Sequence, residues 1–194
     1  SMKLTAKQTT AMILSLIAVF PTLAHTGHDT LQNALASGLL HPLMGMDHLI
    51  AMLAMGYWAA SFVGNKAKTL LAAFFGLLLS GFMLGQLGYQ FALMEAGIVM
   101  TSVITGLLIA RQKNIAQGLA VSLASCFALF HGLAHGLETT SSVPILFALG
   151  FMVTSATLVT LGFAASTLVA RSKPNANRLI GLVIAMMGVS LFSI

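Results

Sequence analysis

Three long stretches of this chain carry no charged side chain, and they constrain the fold more than any other feature. They cover residues 69–94, 114–130 and 139–170. The hydrocarbon core of a bilayer requires about 20 predominantly apolar residues for one helical span. Only 7% of the 194 residues are charged, against roughly 25% in an average soluble domain. The sequence therefore predicts an all-α membrane protein with no room for a soluble domain.

Short polar or glycine-containing breaks divide the chain into six predicted transmembrane helices. The expected spans are 42–63, 67–86, 91–110, 115–137, 144–170 and 178–194. Pro42 and Pro144 lie at predicted helix starts, where the missing N–H of proline costs least. The six spans make up a predicted transmembrane domain over residues 41–194, and residues 25–40 are expected to form a short periplasmic segment before it.

The N-terminal region has the three-part pattern of a secretory signal. Lys3 and Lys7 precede an apolar run at residues 11–20, and residues 22–24 have the composition of a cleavage site. We expect residues 1–24 to be a signal peptide that is removed in the native host. The alternative is an uncleaved first span, which would raise the number of helices to seven.

The basic residues all fall on one side of this six-span arrangement. They are Lys3, Lys7, Lys66, Lys68, Arg111, Lys113, Arg171, Lys173 and Arg178. The positive-inside rule makes that side cytoplasmic. We therefore expect a bacterial inner-membrane protein whose basic loops are cytoplasmic, with its mature N-terminus and the loop at residues 139–142 in the periplasm.

This orientation places every histidine and every carboxylate at or near the outer face. The candidate metal ligands within the spans are His41, Asp47, His48, Glu95, His131, His135 and Glu138. His131 and His135 are four residues apart and Glu138 follows three later, so the three side chains share one stripe of a helix. If Pro42 opens the first helix, His41 and His48 lie two turns apart on one face.

Imidazole and carboxylate ligands suit nickel, cobalt, zinc or manganese better than a soft cuprous ion. The carboxylates supply the negative charge that a buried dication needs. Ionisable groups within a membrane are costly and usually functional, although Glu95 alone could simply extend to the interface. His25 and His28, with Asp29, are either a metal-gathering arm or a polar tail.

Four further sulfur-containing residues are predicted to serve packing rather than metal binding. Met44, Met52 and Met55 follow the expected face of His41 and His48 at helical spacing, and methionine in a helix usually fills space. Cys126 lies deeper in the fourth span and is expected in the core.

Two segments resemble motifs of the HupE/UreJ group of small bacterial nickel permeases. They are His-Pro-Leu-Met-Gly-Met-Asp-His at 41–48 and Phe-His-Gly-Leu-Ala-His-Gly-Leu-Glu at 130–138. The resemblance covers essentially the whole mature chain, and it implies import of nickel, in some members cobalt, for hydrogenase or urease maturation. Its functional positions fall on His41, Asp47, His48, Glu95, His135 and Glu138, with His131 in the same motif. Phe74 also matches a family position, without an evident chemical role.

The predicted function is a secondary permease, not an enzyme, that imports a divalent transition metal. Nickel is the expected ion, and cobalt and zinc are the alternatives. The expected partners are the metal ion and membrane lipid. The chain has no G-x-x-x-x-G-K-[ST] loop for a nucleotide, and its scattered basic residues do not suggest nucleic acid. We expect Asp47, His48, His135 and Glu138 to form the entry site for the ion, with His41 and Glu95 at its outer mouth or supporting its ligands. Ligand histidines must be neutral, so capture should release protons and weaken at low pH.

The alternative from another functional class is a membrane-embedded zinc-dependent hydrolase. Three protein ligands and a water molecule would be its signature, and the chain has enough ligands. However, His131-Gly132-Leu133-Ala134-His135 lacks the glutamate of an H-E-x-x-H motif, which would act as general base.

Overall fold

A computed structural model describes residues 31–112, 115–172 and 176–191. This part of the chain folds into seven helices, which are α1 Leu31–Met44, α2 Met46–Ala59, α3 Asn65–Gln86, α4 Met94–Arg111, α5 Gln117–Glu138, α6 Pro144–Ser172 and α7 Ala176–Leu191. The predicted signal peptide lies outside the described residues, as do His25, His28 and Asp29.

The described helices have the lengths and compositions of membrane spans. Helices α3, α4, α5 and the Pro144–Val169 part of α6 are each long and apolar enough to cross a bilayer. The pair α1 and α2 adds a fifth span if the two are counted together, and α7 is a shorter apolar helix of 16 residues. The described part of the chain is therefore all-helical and has the four or five apolar spans of a membrane protein by length and composition, and the sixth span stays a prediction.

The first predicted span differs from the observed structure. The chain is already helical at Leu31, and Pro42 lies inside α1 instead of opening a helix. The helix then breaks at Gly45, whose backbone is extended (φ −99°, ψ 119°), and α1 and α2 are bent by 80° relative to each other. Pro42 removes a helical N–H donor, and glycine favours a non-helical backbone more than other residues do. Together they explain why the helix stops here.

Helices α3 and α5 pack with their backbones in close contact. Gly132 faces the carbonyl of Leu78, and Gly136 faces the carbonyl of Phe82, at distances that leave no room for a Cβ atom. The side chain of Gln86 also donates a hydrogen bond to the carbonyl oxygen of Gly136. Small residues spaced four apart permit this approach. The contact fixes the C-terminal half of α5 against α3, and this half carries both histidines of the helix.

Helix α6 packs against both arms of the broken pair. A Cβ atom on Gly38 would collide with the backbone of Phe147, and one on Gly56 would collide with the backbone of Val159. The hydroxyl of Thr154 donates a hydrogen bond of 2.7 Å to the carbonyl oxygen of Leu39. Helix α6 therefore holds α1 and α2 in their bent arrangement.

The interior of the bundle is apolar, and so is much of its outer surface. Met52, Met55 and Phe74 are at most 1% exposed, which agrees with the predicted packing role of the two methionines, whereas Met44 is exposed. The predicted core position of Cys126 is wrong, because its side chain is exposed on α5. Successive residues of a helix are rotated by about 100°, so Cys126 points outward while the neighbouring Phe127 is buried.

Candidate metal centre

The ionisable residues of α1, α2 and α5 meet at one end of the bundle. His41 lies in the last turn of α1, Asp47 in the first turn of α2, and His135 in the last turn of α5. The break at Gly45 brings His41 and His48 together, with 6.3 Å between their ring centroids. The predicted arrangement, with both on one face of a continuous helix, is therefore wrong, but the bend places the two rings side by side.

Three side chains form an outer group at the edge of this cluster, and they are His41, His135 and Glu138. The Nε2 atom of His41 lies 3.3 Å from Oε2 of Glu138. One ligand atom from each of the three residues lies within 4.8 Å of the other two. Two imidazoles and a carboxylate are ordinary ligands of a borderline transition-metal ion. The side chains of His41 and Glu138 are 30% and 52% exposed, so the group is accessible from outside.

His48 connects the outer group with a deeper histidine. Its ring centroid lies 4.0 Å from that of His135 and 5.4 Å from that of His131. Its Nδ1 atom lies 2.8 Å from Oδ1 of Asp47, so the imidazole and the carboxylate are in direct contact. A Cβ atom on Gly45 would lie only 2.7 Å from the same Asp47 oxygen. Glycine is therefore what allows the carboxylate to approach the break.

Several ring nitrogens in this cluster are buried without a protein partner. Both nitrogens of His135, together with Nε2 of His48 and of His131, have no hydrogen bond to any described residue. A buried polar atom without a partner costs about 1–3 kcal/mol. His131 is fixed in orientation, because its Nδ1 lies 2.9 Å from the carbonyl oxygen of Phe127. A metal ion would supply the missing partners, so the chemistry of this cluster fits a metal ligand set.

Aromatic residues of α6 line the cluster on one side, and the sequence analysis did not single them out. The ring centroid of Phe147 lies 5.3 Å from that of His41, and that of Phe151 lies 4.3 Å from that of His135. Phe82 of α3 stacks on Phe147 with the centroids 5.9 Å apart. Two phenylalanines four residues apart were a weak signal, since the same spacing occurs in any apolar helix of a membrane protein.

Two other residues named from the sequence lie apart from the cluster. Glu95 is exposed in the first turn of α4 and does not belong to the outer group. Phe74 is buried in the apolar core beside Phe75, so its surroundings suggest packing and not metal chemistry.

Comparison with known proteins indicates the same family as the two motifs that contain the cluster residues. The family model described as "HupE / UreJ protein" matches residues 12–191. Protein HupE of Rhizobium leguminosarum bv. viciae is 31% identical over 173 residues, which cover 88% of this chain and 91% of that protein. No solved structure matches the chain. The chain therefore belongs to the HupE/UreJ family.

Proposed function

We propose that this protein is a permease that imports a divalent transition metal across the bacterial inner membrane, with nickel as the preferred ion. The observation that carries the proposal is the outer group, in which His41, His135 and Glu138 converge from α1 and α5 at one end of an apolar bundle. HupE/UreJ proteins are generally nickel or cobalt transporters, which supports the same conclusion.

The ligand set favours a borderline dication over the hard ions that are far more abundant. Imidazole suits nickel, cobalt and zinc, whereas magnesium and calcium prefer sites made of oxygen atoms. Asp47 and Glu138 would balance the two positive charges of the ion, which matters because a buried charge without a partner is costly. Hydrogenase or urease maturation is the expected use of the imported nickel.

Each candidate residue has a proposed part in this process. The outer group captures the ion, Asp47 and His48 contact it from the start of α2, and His131 lies one helical turn further along α5. Glu95 is an exposed carboxylate that attracts cations towards the bundle. His25 and His28 precede the described residues in sequence, and they would gather metal outside the membrane.

The proposed direction of transport follows from the basic residues. His48 lies in the first turn of α2, and Lys66 and Lys68 follow the opposite end of that helix. Arg111 similarly ends α4, whose first turn carries Glu95. By the positive-inside rule, the histidine cluster then faces the periplasm. A dication that moves inward gains about 4.6 kcal/mol per 100 mV of membrane potential, so the potential itself is a candidate driving force for import.

The test is metal accumulation in cells that produce the wild-type protein or the Asp47→Asn variant at matched membrane levels. We expect accumulation of nickel with the wild type and a large loss with the variant, because the variant keeps the shape of the side chain but removes its charge. Cys126→Ser, on the exposed face of α5, is the matched control and should behave as wild type. No accumulation of nickel, cobalt or zinc above empty vector would refute the proposal and favour the zinc hydrolase.

A further inference from the structure

The buried half of the histidine cluster contains nitrogen atoms that the outer group leaves unused. His48 and His131 are 6% and 1% exposed, and Nε2 of each has no hydrogen-bond partner in the described part of the chain. Neither residue belongs to the outer group, which takes one ligand atom each from His41, His135 and Glu138. The cluster therefore contains two potential ligands, His48 and His131, that are not needed to bind an ion in the outer group.

We propose that His48, His131 and His135 form a second, inner metal position, which receives the ion from the outer group. This inference rests on the proposed function and adds an order of events to it. The ion first binds His41, His135 and Glu138, and it then exchanges His41 and Glu138 for His48 and His131. His135 remains bound throughout.

The contacts of His135 with both sets of ligands support such an exchange. Its ring centroid lies 4.6 Å from that of His41 and 4.0 Å from that of His48. Both of its ring nitrogens are buried and unpartnered. An ion that keeps one ligand while it changes the others is never released bare into an apolar interior, where an unpaired charge is very costly.

His131 is prepared for its role by the hydrogen bond on its other nitrogen. Its Nδ1 lies 2.9 Å from the carbonyl oxygen of Phe127, and a carbonyl oxygen can only accept a hydrogen bond. The neutral ring therefore carries its hydrogen on Nδ1, and Nε2 keeps a free lone pair for a metal. A hydrogen bond on the second nitrogen is the usual way in which a ligand histidine is oriented.

The order in which the ion occupies the two positions follows from the depth of their ligands along α5. With a rise of 1.5 Å per residue, His131 lies about 6 Å further along the helix than His135 and about 10 Å further than Glu138. In the outer group the side chains of His41 and Glu138 are 30% and 52% exposed, whereas His131 is buried, as is His135. An ion that passes from Glu138 to His131 thus moves from the solvent-accessible edge into the interior of the bundle.

The inner position also predicts which ions complete the passage. It consists of neutral imidazoles, and the nearest carboxylate, Asp47, contacts His48 from the side of the helix break. Magnesium and calcium bind imidazole poorly and prefer oxygen ligands. These two ions could bind the carboxylate of Glu138 in the outer group, but the imidazoles of the inner position would bind them only weakly. The inner position therefore selects borderline metals.

The first experiment compares His131→Gln with His41→Gln in purified protein, using nickel binding by calorimetry and nickel uptake into proteoliposomes. For His131→Gln we expect an affinity within about threefold of wild type but uptake that is lower by about tenfold or more. His41→Gln should lower both quantities. If His131→Gln weakens binding as much as His41→Gln, or leaves uptake unchanged, the two-position account is wrong. Failure of the wild type to transport would instead refute the proposed function.

A second experiment keeps His131 in place, so it decides the question even if the first variant does not fold. The double variant His41→Gln/Glu138→Gln removes the outer ligands and leaves the inner three. The double variant should bind nickel more weakly by calorimetry, and X-ray absorption of its nickel-loaded form should show imidazole-rich ligation at about 2.1 Å. Absence of bound nickel at millimolar concentration, or binding without imidazole ligands, would refute the inner position.

Discussion

The Nε2 atom of His41 lies 3.3 Å from Oε2 of Glu138, and this contact joins the end of α1 to the end of α5 at the exposed edge of the histidine cluster. The pair links two helices that belong to different packed units, because α1 packs on α6 and α5 packs on α3. Under the proposed function the same two atoms would be ligands of the metal ion, so metal binding would replace one link between the two units by another.

The Glu138→Gln variant should bind nickel more weakly by about tenfold or more, because it removes a unit of charge that faces the dication. The amide keeps the shape of the side chain, so the fold should be unchanged. Calorimetry of the purified protein measures the affinity. Thr140→Ala, in the exposed loop that follows α5, is the control and should bind as wild type. Equal affinities for Glu138→Gln and wild type would exclude Glu138 as a ligand.

The Gly45→Ala variant should lower the affinity for nickel, although alanine introduces no backbone strain at this position. Its φ of −99° is accessible to alanine, but the added Cβ would lie 2.7 Å from Oδ1 of Asp47 and 3.3 Å from Nδ1 of His48. Both side chains must then move. We expect a lower nickel affinity with a nearly unchanged melting temperature. Gly76→Ala, where a Cβ meets nothing within 4 Å, is the matched control, and identical affinities for the two variants would contradict the role of Gly45.

The Gly136→Ala variant should destabilise the protein. Its Cβ would overlap the carbonyl oxygen of Phe82 and force α5 away from α3. Overpacking of this kind typically costs about 1–3 kcal/mol, and the displaced helix also carries His135. Thermal unfolding in detergent should show a lower melting temperature and a lower nickel affinity. Gly118→Ala on the same helix has open space around the new methyl group and should not be destabilised. A melting temperature equal to that of Gly118→Ala would refute the close contact.

Orientation in the membrane can be tested with single cysteines in a Cys126→Ser background, since Cys126 is the one native cysteine. We expect cysteine at Ser141 to react with an impermeant thiol reagent added to intact cells from the periplasmic side. Cysteine at Lys66 should react only after the membrane is opened. The reverse pattern would overturn the proposed direction of transport.

Apolar stretches and the polar breaks between them made part of this structure predictable from the sequence. The spans expected at 67–86 and 115–137 lie close to α3 and α5 as observed, Asn65–Gln86 and Gln117–Glu138. The shared face of His131 and His135 on α5 followed from their spacing of one helical turn. The bounds of a helix and the face on which a side chain lies depend on residues that are close in the sequence, so both could be predicted from it.

The features that depend on tertiary structure were not predictable in the same way. The sequence analysis placed Pro42 at the start of a continuous first helix, whereas the chain bends by 80° at Gly45 and packing on α6 holds that bend. The proximity of His41 and His48 is a consequence of that bend. Cys126 was misplaced because an apolar span in lipid has hydrophobic residues on all sides, so hydrophobicity does not reveal which face is buried.

The most direct test of metal import is nickel flux into proteoliposomes that contain the purified protein and a nickel-sensitive dye. We expect wild-type protein to raise the internal nickel concentration, and a membrane potential that is negative inside to increase the rate. His135→Gln should show no flux above protein-free vesicles, because His135 is fully buried and is the ligand shared by both proposed metal positions. Equal flux in wild-type and protein-free vesicles, or undiminished flux with His135→Gln, would contradict the account.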